Sequence, residues 1–73
     1  MDENKLIAAA KKYLKETYDE DTVTMTVTNN KVKNGTGILS VNCTVSVDGE
    51  ESDWSKDFHF ENGKVVDMDY WQK

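Results

Sequence analysis

Leu39-Ser40-Val41-Asn42-Cys43-Thr44-Val45-Ser46-Val47 alternates apolar and polar side chains without a break. A period of two places Leu39, Val41, Cys43, Val45 and Val47 on one face and the hydroxyl and amide side chains on the other, as in a strand with one buried face. Asn34-Gly35 precedes the stretch and Asp48-Gly49 follows it. Both dipeptides favour tight hairpins, because their backbones accept positive φ. Residues 38–47 are therefore read as an inner strand with a hairpin at each end.

Upstream, Val23, Met25 and Val27 alternate with Thr22, Thr24, Thr26 and Thr28, which predicts a first strand over residues 22–33. Residues opposite one another in an antiparallel pair share a face, so the odd apolar positions of the two strands should meet. A three-residue loop, Asn34-Gly35-Thr36, achieves this by pairing Val23 with Val47, Met25 with Val45 and Val27 with Cys43. It also sets Val32 opposite Ile38 on the outer face.

Downstream, parity reverses. Trp54, Phe58 and Phe60 are the apolar positions of a third strand over 52–60, and an even-length turn at Asp48-Gly49 supplies the reversal. Lys56 falls on the apolar side and is expected to run its stem along Trp54 or Phe58 to reach water. A last strand over 64–71 turns Val66, Met68 and Tyr70 inward. A three-residue loop, Glu61-Asn62-Gly63 with Gly63 left-handed, pairs Phe58 with Val66, Trp54 with Tyr70 and Asp57 with Asp67.

Leu6, Ile7, Ala10, Tyr13, Leu14 and Thr17 recur at three- and four-residue steps and predict an amphipathic helix over residues 4–18, capped by Asp2 or Asn4. Only this helix is left to cover the apolar face of the strands. The expected fold is α+β, with one N-terminal helix packed across a four-stranded antiparallel meander sheet (αββββ), in a single domain spanning residues 1–73. This order resembles the cystatin-like fold, in which an antiparallel sheet wraps one N-terminal helix. The cystatin inhibitors carry Gln-x-Val-x-Gly in the first hairpin and Pro-Trp in a later one. This chain has Lys33-Asn34-Gly35-Thr36-Gly37 at the first hairpin and no proline, so the resemblance implies the fold and not cysteine-protease inhibition.

Nine lysines, no arginine and fourteen acids give a net charge of −5. Direct nucleic-acid binding is disfavoured, since it depends on neutralising phosphates with basic side chains. The single cysteine forms no internal disulfide, and no apolar run approaches the roughly 20 residues of a membrane span. The expected location is cytoplasmic, with an exported mature form as the alternative.

Cys43 and His59 are the sole thiol and imidazole, and parity sends them to opposite faces, so no catalytic residues are assigned and no enzyme is expected. Asp53, Asp57, Asp67 and Asp69 collect on the outer face of the last two strands, beside Trp71. Like charges opposed across strands destabilise, which asks for a compensating reason. Neither a metal nor a cofactor is assigned, because the spacing follows no calcium loop. The expected function is a non-enzymatic binding domain that docks a protein with a basic surface on these five residues. One alternative is an acidic inhibitor mimicking nucleic-acid phosphates; another is a small-ligand domain with a pocket between helix and sheet beside Tyr13 and Trp54. The open edges of the first and last strands allow a monomer or an edge-strand homodimer.

Overall fold

The computed structural model describes residues 2–73 of the domain; Met1 lies outside the described residues. Helix α1 (Glu3–Tyr18) is followed by strands β1 (Asp21–Asn30), β2 (Gly37–Val47), β3 (Glu50–Glu61) and β4 (Lys64–Gln72). The strands form one antiparallel sheet in the order β1-β2-β3-β4. This is the α+β meander that the alternation predicts.

Asp2 is the N-cap of α1, and its carboxylate accepts the Asn4 N–H at 2.7 Å. Leu6, Ala10 and Leu14 are the fully buried residues of the helix. They meet Leu39, Val41, Cys43 and Val45 of β2, Phe58 and Phe60 of β3, and Met68 of β4. Tyr13 joins the rim of this core with its ring edge-to-face against Phe58, at 6.4 Å.

The register differs from expectation in both outer hairpins. All three turns are two-residue turns with positive φ at both positions, namely Asn34-Gly35, Asp48-Gly49 and Asn62-Gly63. Left alone, the first and third would pair inward with outward residues. Bulges correct the mismatch further down each hairpin. One at Thr28 brings Val27 opposite Val41 rather than Cys43, and a second at Val23 leaves that side chain exposed rather than opposite Val47. A third falls at Val66, which is turned out, while Val65 packs against the core in its place. Phe58 consequently faces Met68, and Trp54 faces Gln72 rather than Tyr70.

Val32 likewise does not join Ile38 outside: it packs against the core, its N–H held by Asn30 Oδ1 at 3.0 Å. The first and third turns then clasp each other over the end of the sheet. Gly63 N–H donates to Gly35 O at 2.8 Å, and Asn62 N–H donates to Thr36 Oγ1 at 3.2 Å.

Thr22 is a point of conflict between local pattern and packing. It lies opposite buried Val45, and its hydroxyl is buried without a hydrogen-bond partner. Thr22→Val keeps the shape and the β-branching and removes the unsatisfied group. It is expected to stabilise the domain by about 1 kcal/mol, read as a higher urea midpoint at unchanged slope.

Candidate functional site

The helix covers one face of the sheet and leaves the other open. On β3 the open face carries Asp53, Ser55, Asp57 and His59, and on β4 it carries Asp67, Asp69 and Trp71. Residues two apart on a strand are separated by roughly 6.8 Å, so these side chains form rows at regular spacing. Asp57 lies directly opposite Asp69, not Asp67 as the three-residue turn predicts, because the bulge at Val66 moves the register. His59 lies opposite Asp67 and places Nε2 2.9 Å from Asp69 Oδ2. One imidazole thus stands between two carboxylates and, when protonated, offsets part of the repulsion across the Asp57–Asp69 pair. His59 is the member of this cluster that reading single strands misses, because its role depends on which β4 residues lie beside it.

The five residues expected to form the contact surface are not equivalent. Asp53 is held at one end of the face, where it accepts the Thr44 hydroxyl at 2.6 Å and its carbonyl takes the Lys73 N–H at 3.0 Å. Asp67 uses one carboxylate oxygen to accept the Met68 N–H at 2.9 Å. Asp57 is half-buried, whereas Asp67 and Asp69 are exposed. Trp71, opposite Ser55, is 55% exposed and sits between the Asp53 end and the Asp57–Asp69 row. Among the described residues, no three His, Cys, Asp or Glu side chains are grouped to hold a metal ion. Likewise among the described residues, no helix is long and apolar enough to cross a membrane.

Cys43 is 4% exposed on the helix side of the sheet, and burial pushes its thiol pKa up, which favours the unreactive protonated form. His59 is on the opposite face, so the two make no dyad.

The covered face holds a second polar group, and here the expectation fails. Lys56 does not run out to water. It is 2% exposed, the sole buried charged residue among those described, and its Nζ stands 3.0 Å from Glu20 Oε1. The rings of Trp54, Tyr70 and Tyr18 surround the ammonium at 5.3, 5.7 and 5.9 Å from their centroids, within cation–π range.

The helix stop delivers Glu20 to this place. Asp19 takes the left-handed conformation at φ 55°, and its N–H reaches back to Lys15 O at 3.1 Å, an αL closure that turns the chain off the helix. Lys15 clips the same turn, with Nζ 3.0 Å from Asp19 and 2.9 Å from Asp21. The signal in the sequence is Lys56 itself, a charge on an apolar face that has to find a partner. Which carboxylate answers it depends on where the helix ends in space. No family model, curated protein or solved structure matches this chain.

Proposed function

We propose that this chain is a non-enzymatic binding domain that docks a protein with a basic surface on the open face of β3 and β4. The observation that carries this reading is the uncovered sheet face, on which Asp57, Asp67 and Asp69 adjoin Trp71, a tryptophan 55% exposed. A large aromatic flanked by acids has the composition of an interface anchor with a charged surround. The helix carries Lys5, Lys11, Lys12 and Lys15 against Glu3 and Glu16 on the other side of the sheet, so the open face, with its four aspartates, is the more acidic and would orient a basic partner toward itself. The element order resembles that of the cystatin-like fold, and this reading puts binding on the sheet face rather than on the hairpins that carry the cystatin inhibitory motifs.

The test is capture from a lysate of the source cells at low and high salt, beside an Asp67→Lys/Asp69→Lys variant shown to be folded by circular dichroism. A partner retained at low salt, released at high salt and bound at least about tenfold more weakly by the variant is the expected result. Displacement of that partner by DNA would select the phosphate-mimic alternative. Equal capture by both proteins would remove the acidic face from consideration.

A further inference from the structure

The aromatic recess above Lys56 has the features of a small-molecule site that is separate from the open face. It encloses about 210 Å³ and is lined by Tyr18, Glu20, Trp54, Lys56, Met68 and Tyr70. Its rim rings, Tyr18 and Tyr70, are 43% and 53% exposed, whereas the ammonium at its floor is almost wholly withdrawn from water. A lysine ammonium has three donors, and the contact with Glu20 Oε1 uses one of them. The remaining two have aromatic rings around them, and a ring face attracts the charge without saturating a hydrogen-bond donor. Trp54 offers its face because its indole N–H is already donated to Ser52 Oγ at 2.8 Å.

From this geometry we infer that the recess binds a small organic carboxylate carrying a flat apolar body. The carboxylate takes a free Lys56 N–H, and the body stacks among Tyr18, Trp54 and Tyr70. The sign of the ligand follows from the floor. A cation would meet Lys56 at contact distance, while Glu20, 14% exposed, already spends its near oxygen on that lysine. A neutral ring would gain the aromatic walls but leave the two donors as they are. Glu20 then sets the affinity, because a second carboxylate on the same ammonium stands beside the first and is repelled by it. The site uses none of Asp57, Asp67, Asp69 or Trp71, so it stands or falls apart from the docking proposal.

Benzoate is the probe, with benzyl alcohol as the uncharged match. Titration is followed by the ¹H–¹⁵N signal of the Trp54 indole, with Trp71 as an internal reference on the other face. The expected result is saturable movement of the Trp54 signal with millimolar benzoate, little with benzyl alcohol, and at least about tenfold tighter benzoate binding by Glu20→Gln. Lys56→Met, which keeps an apolar stem beneath the rings, should abolish the response while the β2 amide spectrum shows the sheet intact. Three results would each overturn the inference: a Trp54 signal that does not move in either the parent or Glu20→Gln, equal response to benzyl alcohol, or benzoate binding unchanged in Lys56→Met.

Discussion

Lys56→Ala is expected to cost the domain about 3 kcal/mol, and Lys56→Met less than about 1 kcal/mol. The alanine variant loses the four-carbon stem of a side chain that is 2% exposed and leaves a cavity beneath the rings of Tyr18, Trp54 and Tyr70 that its ammonium faces. Both variants strip Glu20 of its cation, where that carboxylate is 14% exposed, so this loss is common to the two and the stem's packing separates them. Methionine restores most of the volume, and Glu20 needs only a small excursion to reach water. Desolvating the ion pair offsets much of its attraction, so the stem's packing is the larger contribution.

A 73-residue domain is expected to hold roughly 4–11 kcal/mol in total, at 0.05–0.15 kcal/mol per residue. The alanine variant should therefore melt about 15 °C lower and, at the low end of that range, keep only about 1 kcal/mol, with roughly one molecule in six unfolded at room temperature. Urea unfolding followed by circular dichroism measures both variants. A methionine variant as unstable as the alanine one would show that the ion pair dominates; an alanine variant within about 1 kcal/mol of the parent would contradict the burial of Lys56.

Gly37→Ala should be similarly damaging, for a backbone reason. Gly37 opens β2 at φ 138°, and a Cβ there would stand 2.2 Å from Lys31 O and 3.0 Å from Val32 Cα. Both neighbours are backbone, and the Lys31 N–H is bonded to Ile38 O at 2.9 Å, so they yield only if the hairpin shifts. Displacing residues 31–38 would also withdraw Val32 from the core and pull Thr36 off Asn62. The combined cost is about 3 kcal/mol.

Gly49→Ala is the control. Gly49 also has positive φ, at 84°, but nothing lies within 4 Å of its Cβ position, so only the left-handed penalty of about 1–2 kcal/mol applies. Thermal melts of the two variants should differ by at least about 4 °C, with Gly37→Ala lower. Equal melting temperatures would mean that the close approach to Lys31 does not constrain the hairpin.

The open face was legible in the sequence as far as its members go. Asp53, Asp57, Asp67, Asp69 and Trp71 sit on the strands and the side that parity predicts, because each strand's alternation carries its own inside and outside. Their pairing was not legible. Asp57 meets Asp69, and His59 stands between Asp67 and Asp69, only because one extra residue at Val66 slides β4 along β3. The recess was legible only as an anomaly, a lysine among aromatic positions, since Tyr18 arrives from the end of the helix and Glu20 from the turn after it.

The sequence by itself determined the number and order of elements, the buried face of β2 and the reversal of parity at Asp48-Gly49. These follow from periods of two and 3.6 and from turn residues that read the same wherever they stand. Only the tertiary structure decided the register of the outer hairpins and the fate of Lys56. Asn34-Gly35 and Asn62-Gly63 both adopt the compact two-residue turn, and the parity they break is restored by bulges. A bulge can fall at several places along a strand at similar local cost, so packing chooses it. Thr28 and Val66 are bulged where this lets Val27 face Val41 and Met68 face Phe58, in the core that Leu6, Ala10 and Leu14 close from the helix side.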